Sequence, residues 1–524
     1  MLDQLSADSD WYVSRTVFLA RGRGVFGAIV LGAQPRMLIP GVERRGVAYA
    51  KLIVLRNACW ALIVANAALV VSLIWLASRL VAMGPGRRAV RGPIHISELV
   101  AGVPDVFHAR ICNDLPRPTT AAPDDHVHKR ELPYVSRSSR ETPEVDILHW
   151  LQLRPNKLGS IEDYVIQLTE AAAERQVRSA FVFEHGTSEV VRRTMRERGV
   201  VAYFVDEIAS LARFREFVTR LNPWGVHFHF FSQCQPLYFG AHSLLRRATI
   251  VTAHLSTDED DETRESGVLG VARRVRRRLY ATQVDRFLAV SGFVAGQLAG
   301  KGAVAPAKIS LVYNGIDMRR HYVRAPSERA QLKQRVLGVE PGCPVITFVG
   351  QIEEYKGIND LLEAIPQVAA RAPDVRFVFV GTGTLDDAPG MDHPAIMRLG
   401  LRDDVQDILG ASDIFWAPSR WHEAFGLVIV EASAAGLPVI STNVGAIPEV
   451  IQDGVHGYLV APGDPAALVA RAFELLGDAD LRQRMGTAGR ERAVRQFSLD
   501  DSIAATLDVY EALRAKRPRL SRGR

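Results

Sequence analysis

Two successive series of short apolar segments, separated by stretches with helical spacing, constrain the fold of this chain more than any other feature. The first series follows Glu144 and contains DILHWLQL, SAFVF, VVAYFV, VHFHFF, ATIVTA, RFLAVS and ISLVYN. The second begins near Pro344 and contains VITFVG, VRFVFVG, DIFWAPS and PVIST. Short apolar strands that alternate with helices indicate parallel sheets covered by helices on both faces. We therefore predict an α/β protein with two Rossmann-like domains that face each other across a cleft.

The two series also set the predicted domain boundaries. A chain of 524 residues is too long for one hydrophobic core. We place the first Rossmann-like domain at 144–325 and the second at 326–515, followed by a basic tail at 516–524. Residues 84–143 are rich in Pro, Arg, Ser and Asp, which predicts a linker after an N-terminal region at 1–83.

The N-terminal region contains the segment 57–78, NACWALIVANAALVVSLIWLAS, which carries no charged side chain. A helix of this length spans a hydrocarbon core of about 30 Å. Trp60 and Trp75 lie near its ends, where interfacial aromatic residues are favoured. The alternative is a buried core helix, but the segment lacks a polar stripe. We predict a membrane helix at about 57–78. Basic residues flank it on both sides, so charge does not indicate its orientation in the membrane.

Net charge and cysteine spacing indicate which partners and which redox compartment suit this chain. The net charge of +6 is modest for this length, so we predict no nucleic-acid partner. Cys59, Cys112, Cys234 and Cys343 stand far apart and form no CxxC pair. This spacing suits a reducing compartment and excludes a disulfide scaffold.

The second series contains SRWHEAFGLVIVEASAAGLPVI, in which Glu423 and Glu431 bracket an almost entirely apolar run. Carboxylates in such surroundings need a partner or a ligand. We expect a helix to begin near Gly426, with its free N–H groups and positive dipole end towards a phosphate. Glu431 then lies about 7–8 Å further along the helix. Because carboxylates accept hydrogen bonds from hydroxyls, the pair predicts a site that holds the sugar and the ribose of one sugar nucleotide.

The segment that contains the two glutamates, taken together with four other motifs, resembles the family 4 glycosyltransferases. These are retaining enzymes of the two-domain GT-B fold. The shared motifs are EAFGLVIVE, GQIEEYKGINDLLEA, VYNGID, VISTNVGAIPEVIQDGVHGYLV and LAVSGFVAGQL. The resemblance covers residues 145–515. It implies transfer of a hexose-type unit from a UDP- or GDP-linked sugar to an acceptor hydroxyl. No Asp-x-Asp motif ends a predicted strand, so we expect a metal-independent reaction with no cofactor.

The resemblance also assigns roles to single residues. It implies that Glu423 holds hydroxyls of the donor sugar and that Glu431 holds the ribose. Lys356 would neutralise the diphosphate leaving group, and His254, in VTAHL, would face the sugar. The remaining donor-binding positions implied by the resemblance are Gln351, Gly159, Phe425, Gly426 and Leu427.

Three positions depart from the family's pattern. Gln351 stands where arginine is frequent, and a neutral amide supplies no charge to a diphosphate. Ser160 and Ala446 each stand where a second glycine is frequent. Of the three departures, only Gln351 changes the charge of the predicted site.

Two other patterns allow alternatives. His227 and His229 share a strand face and could form a metal pair, but we predict a structural strand with tolerated histidines. The basic run ARRVRRRLY at 272–280 predicts a solvated helix face, with contact to anionic lipid as the alternative.

These observations predict a membrane-anchored hexosyltransferase that acts on a glycan or lipid-linked acceptor, as in exopolysaccharide synthesis. Nucleotide sugars are cytoplasmic in bacteria, so we expect an inner-membrane protein with its catalytic domains in the cytoplasm. Two alternatives remain, a sugar-nucleotide epimerase of the same fold and a non-catalytic membrane scaffold.

Overall fold

A computed structural model describes most of the chain after the predicted linker and two short strands before it. The described ranges are 11–13, 33–35, 144–153, 159–184, 186–206, 208–254, 267–300 and 303–516. The predicted membrane helix at about 57–78, the predicted linker at 84–143 and the tail beyond residue 516 lie outside these ranges. Within them, none of the helices has both the length and the apolar character that crossing a bilayer requires.

The chain divides into two units, Met1–Asp125 and His126–Arg524. In the first unit, β1 (Trp11–Val13) and β2 (Ala33–Pro35) form an antiparallel pair. The second unit contains two parallel sheets, which confirms the prediction of two Rossmann-like folds.

The N-terminal sheet of the second unit has seven strands in the order β5-β4-β3-β6-β7-β8-β9. These strands are β3 (Ile147–Leu151), β4 (Ser179–Glu184), β5 (Ala202–Val205), β6 (Gly225–His229), β7 (Ala248–Ala253), β8 (Arg286–Ala289) and β9 (Ile309–Leu311). Its helices are α1 (Ser160–Glu174), α2 (Glu189–Glu197), α3 (Leu211–Leu221), α4 (Pro236–Phe239), α5 (Gly267–Thr282) and α6 (Gly292–Ala299). The central strands are buried along their length because helices cover both faces.

The C-terminal sheet has six strands in the order β12-β11-β10-β13-β14-β15. These strands are β10 (Val345–Val349), β11 (Arg376–Val380), β12 (Ile396–Gly400), β13 (Ile414–Ala417), β14 (Val439–Thr442) and β15 (Gly457–Val460). The remaining helices, in chain order, are α7 (Pro326–Leu332), α8 (Ile358–Arg371), α9 (Val405–Gly410), α10 (Leu427–Ala434), α11 (Ile447–Val450), α12 (Pro465–Gly477), α13 (Ala479–Gln496) and α14 (Leu499–Lys516).

The last helix, α14, packs against the N-terminal sheet, although the predicted boundary of 326–515 assigned it to the C-terminal domain. Its buried side chains Ile503, Leu507 and Tyr510 share a core with Ile147 of β3. Just before α14, the backbone at Ser498 packs against Gly315. A Cβ at position 315 would lie 2.3 Å from the carbonyl oxygen of Ser498, so this contact requires glycine. Apolar periodicity predicts such a helix but does not show which sheet it covers.

A carboxylate also joins the two halves directly. Glu449, in α11, accepts hydrogen bonds from the backbone N–H groups of Gly292 and Phe293 at 2.7 and 2.6 Å. These groups begin helix α6, whose positive dipole end favours a negative charge. The hydroxyl of Tyr313 donates to the same side chain at 3.0 Å. This contact fixes the C-terminal sheet against the N-terminal one.

Candidate functional site

Strand order places the predicted site at two points where the chain changes direction across a sheet. β3 lies beside β6, and β10 lies beside β13. In open α/β sheets, ligands bind beyond the carboxyl ends of strands at such points. The loops after β10 and β13 carry Lys356 and Glu423, whereas the loops after β3 and β7 carry Gly159 and His254.

The loops after β7, β10 and β13 contribute to the lining of a cavity of about 520 Å³. Seven of the nine predicted site residues line it: His254, Gln351, Lys356, Glu423, Phe425, Gly426 and Leu427. Gly159 and Glu431, which the structure also describes, are not among its lining residues. The structure therefore brings most of the predicted donor site together from both domains.

A close backbone contact aligns the two loops of the C-terminal domain. At Gly357, which has φ +77°, a Cβ would lie 1.9 Å from the carbonyl oxygen of Pro418, so the loops meet only with glycine there. The carbonyl of Tyr355 accepts a hydrogen bond from the N–H of Arg420 at 2.9 Å. The preceding loop is thereby fixed with Lys356 beside the end of β13.

Lys356 and Glu423 form an ion pair at the cavity wall. The Lys356 Nζ donates to Glu423 Oε1 at 2.5 Å, and the hydroxyl of Ser419 donates to the same oxygen at 2.9 Å. The two charged side chains are 24% and 19% exposed. A partly buried pair of this kind retains much of its electrostatic interaction. A ligand in the cavity therefore meets an ammonium group and a carboxylate that lie next to each other.

The backbone of Glu423 is supported by the loop after β14. At Gly445, which has φ +57°, a Cβ would lie 2.4 Å from the carbonyl oxygen of Glu423. That oxygen accepts a hydrogen bond from the N–H of Ala446 at 2.8 Å. Ala446 is fully buried with φ −88°, so its backbone does not require the second glycine that is frequent in the family.

Helix α10 begins as predicted. Gly426 is its N-terminal cap with φ +92°, and Leu427 is its first residue. The N–H groups of a first helical turn have no acceptor within the helix. Phe425, Gly426 and Leu427 all line the cavity, so this end of the helix can bind an anion there.

Glu431 lies in the second turn of α10 and contacts the N-terminal domain. Its Oε1 accepts a hydrogen bond from the hydroxyl of Ser160 at 2.7 Å. The neighbouring Gly159 caps α1 with an extended backbone, φ −159°, that any residue adopts. A Cβ there would meet only the Glu162 carboxylate, at 3.5 Å, which is an ordinary contact. The fold itself thus does not require glycine at 159, and its role towards the donor stays a prediction.

His254 follows β7 and carries a neutral ring. Its Nε2 lies 3.2 Å from His229 Nδ1, and its ring stacks on Phe230 with centroids 4.2 Å apart. Loss of hydration lowers the pKa of His254 to about 3. This residue therefore meets a ligand as an uncharged imidazole at neutral pH.

Two other cationic or polar positions have local partners. Gln351 is exposed, and its Oε1 accepts a hydrogen bond from the hydroxyl of Tyr355. Arg420 donates through Nε to Asp360 at 2.9 Å, and that carboxylate is 3% exposed. Among the described residues that line the cavity, Lys356 is therefore the one with a cationic side chain.

Sequence reasoning missed several polar residues that line the cavity. Ser419 supports Glu423 from the end of DIFWAPS, and Tyr355 precedes Lys356 in the predicted loop. Asn314 reaches the cavity from the N-terminal domain. The position of Ser419, two residues after the buried strand β13, was a usable signal, because ligands bind beyond strand ends.

Comparison with known proteins supports the resemblance seen in the motifs. Residues 161–320 match the family described as Glycosyltransferase Family 4, and residues 343–478 match Glycosyl transferases group 1. D-inositol 3-phosphate glycosyltransferase 2 of Catenulispora acidiphila is 31% identical over 319 residues, which are 56% of this chain and 68% of that protein. The chain belongs to the family 4 glycosyltransferases.

Other curated relatives match over less of their length. Spore coat protein SA of Bacillus subtilis is 29% identical over 246 residues, which are 44% of this chain and 65% of that protein. The chain spans only 55 to 65% of the length of the first three curated relatives.

Solved structures share the GT-B fold of this family 4 chain. HepE of Anabaena, solved with UDP and glucose, superposes with a TM-score of 0.57 and is 18% identical. The match covers 71% of this chain and all of that one. At this identity the comparison establishes the fold of both domains.

Proposed function

We propose that this protein is a retaining glycosyltransferase that moves a sugar from a nucleotide sugar to an acceptor hydroxyl. The observation that carries the proposal is the pair of Lys356 and Glu423 beside the N-terminus of α10 in one cavity. The ammonium and the helix N-terminus match a diphosphate, and the carboxylate matches sugar hydroxyls.

In this proposal the bond between the anomeric carbon and the diphosphate breaks while the acceptor oxygen bonds to the same face of the sugar. The acceptor's proton passes to the departing phosphate oxygen. Negative charge grows on the diphosphate as the bond breaks, and Lys356 and the first N–H groups of α10 stabilise it. Glu423 orients the sugar through its hydroxyls. The neutral His254 contributes a hydrogen bond without adding charge.

A UDP-linked sugar is the donor that we propose. The support is HepE, which shares the fold and was solved with UDP and glucose. Glu431 faces the domain interface from the second turn of α10, where a ribose would displace the hydroxyl of Ser160. A GDP-linked donor would present the same ribose and diphosphate.

We further propose a membrane-proximal glycan or lipid-linked acceptor at the cytoplasmic side of an inner membrane. The apolar segment 57–78 supports it, and so does helix α5. Val271, Val275 and Leu279 recur at every fourth position of α5 and are 52%, 52% and 57% exposed. Arg276 and Arg278 on the same helix are exposed as well. A basic helix with an outward apolar stripe suits an anionic bilayer surface.

Two single substitutions test the donor site. Glu431→Ala should chiefly weaken nucleotide binding, because ribose contacts are the same in the ground and transition states. Glu423→Ala should chiefly lower kcat if its contact tightens as the glycosidic bond breaks. Steady-state kinetics and calorimetric titration with UDP measure both effects.

Glu363→Ala, at an exposed glutamate of α8, is the matched control and should behave as the wild type. Near-wild-type kinetics in both test variants would exclude this donor site. Release of a free, altered sugar without acceptor would identify an epimerase instead.

Removal of residues 1–90 tests the membrane proposal. We expect the shortened protein to move from the membrane fraction to the soluble fraction and to keep its affinity for UDP. Sedimentation of both forms and UDP titration provide the measurements. A shortened protein that expresses well but is unfolded would show that this region belongs to the core.

A further inference from the structure

Four histidines lie against one another behind the cavity. His149 on β3 is in register with His227 on β6, and His229 lies two residues further on the same face. These three side chains are 0%, 0% and 2% exposed. His254, at the end of β7, continues the group to the cavity wall.

Three of the rings form one hydrogen-bonded chain. His149 Nδ1 lies 3.2 Å from His229 Nε2, and His229 Nδ1 lies 3.2 Å from His254 Nε2. The remaining nitrogen of His254, Nδ1, is the one left for a ligand in the cavity. The remaining nitrogen of His149, Nε2, is buried without a hydrogen-bond partner.

His227 stands beside this chain but outside it. Its Nδ1 contacts the hydroxyl of Tyr510 at 2.6 Å, and its Nε2 contacts the hydroxyl of Thr252 at 2.7 Å. Both nitrogens are thus satisfied by hydroxyl groups. This residue matches His229 in burial and strand position, and it makes no hydrogen bond to His254.

Burial keeps the rings neutral. It lowers the pKa of His149 and His254 to about 3, and it lowers the pKa of His229 well below its usual value. A neutral imidazole has one N–H donor and one acceptor nitrogen. With one proton per ring, both contacts can be hydrogen bonds only if all three rings donate in the same direction.

The two possible directions differ in what they leave at His149. If His254 donates inward, the proton of His149 lies on Nε2 and forms a buried N–H without an acceptor. If His149 donates outward through Nδ1, only a lone pair remains there. Buried N–H groups without an acceptor are rarer than buried acceptor atoms without a donor, so the outward direction is favoured. The ring of His149 also stacks on Phe181 at 4.4 Å, so its surroundings are apolar.

We propose that His149 and His229 position the proton of His254, so that His254 presents Nδ1–H to an oxygen atom of the donor in the cavity. The identity of the donor rests on the proposed function. His229 and His149 are positioning residues, because they act through His254. In this arrangement His254 is a fixed hydrogen-bond donor to a sugar or phosphate oxygen, and it does not act as a base.

A metal site is the competing interpretation of the same cluster. Nitrogens of His149, His227 and His229 lie within 4.8 Å of one another, and the structure describes all three rings. Five of their six nitrogens already have hydrogen-bond partners, namely two on His227, two on His229 and one on His149. A metal ion would have to replace several of these bonds, so the hydrogen-bonded chain accounts better for the geometry.

Nitrogen-15 NMR of the full-length protein, labelled at histidine, tests the proposal directly. We expect His254 as the Nδ1–H tautomer, with its signals assigned by comparison with His254→Asn. His229→Phe should release this preference and lower kcat roughly 10- to 100-fold, with a smaller change in KM for the donor. His229→Gln can still donate to His254 Nε2, so it should recover most of the activity and the Nδ1–H signal.

His227→Phe is the matched control and should leave the signal of His254 and kcat close to those of the wild type. An Nε2–H tautomer of His254 in the wild type would overturn the proposal, as would one bound metal ion per chain found by elemental analysis. Equal losses in His229→Phe and His227→Phe would also overturn it. The tautomer is measured without turnover, so a protein that transfers no sugar would refute the proposed function alone.

Discussion

We expect Lys356→Met to lower kcat by about 100- to 1,000-fold, the usual loss when one donor to a developing negative charge is removed. Lys356 is the cation in the lining of the cavity among the residues described, and Gln351 contributes no charge. The substitution also leaves Glu423 without its ion-pair partner, so the carboxylate would repel the diphosphate. Nucleotide affinity should fall together with kcat, and calorimetric titration with UDP measures it.

Arg335→Met is the control for this substitution. The side chain of Arg335 is 70% exposed and does not line the cavity, so its removal should leave UDP affinity and kcat unchanged. If Lys356→Met binds UDP as tightly as the wild type, another cation holds the diphosphate. Arg420 would be the first candidate, although it would have to leave Asp360.

A double substitution separates the two effects of losing Lys356. In Lys356→Met/Glu423→Gln the unpaired carboxylate is neutral, so the repulsion of the diphosphate is absent. UDP affinity should then fall less than in Lys356→Met alone, because the carboxylate that repels the diphosphate is neutral. An equal fall in Lys356→Met and in the double variant would show that the unpaired carboxylate does not affect UDP binding.

The parts of the fold that depend on local pattern were predictable from the sequence. The positions of β3 to β9 and of β10, β11, β13 and β14 follow from short apolar runs, whereas β12 and β15 were not predicted as strands. The start of α10 follows from Gly426 in a loop after a buried strand. The glutamates of the E-x7-E element lie where helix geometry places them, one in the loop and one in the second turn.

The parts that depend on long-range packing were not predictable. The ion pair of Lys356 and Glu423 requires the contact of Gly357 with Pro418, which brings together loops from different strands. The histidine chain requires β3 beside β6, an order that periodicity does not reveal. The sequence placed His227 and His229 on one face, but it did not reveal that His149 shares it.

Lowering the pH from 7.5 to 5.5 should reduce the free energy of unfolding by on the order of 8 kcal/mol. Burial lowers the pKa of His149 and His254 to about 3 and that of His321 and His456 to about 4, and it lowers the pKa of His227 and His229 well below the usual value near 6.5. Below pH 6.5 the unfolded chain binds protons that the folded protein does not, so stability falls with pH. Each such histidine contributes up to about 1.4 kcal/mol for each pH unit.

Urea-induced unfolding followed by tryptophan fluorescence at several pH values measures this dependence. Carboxylates with a lowered pKa, such as Asp146 and Asp317, affect stability only below about pH 5, which lies outside this window. His149→Phe keeps a ring of similar size and removes one titrating group, so the slope should fall by up to about 1.4 kcal/mol per pH unit. A flat profile between pH 7.5 and 5.5 would mean that the buried histidines take up protons in the folded protein over this range. Charged rings cannot form the neutral chain that orients His254, so that result would restrict its Nδ1–H donor to pH values above about 6.5.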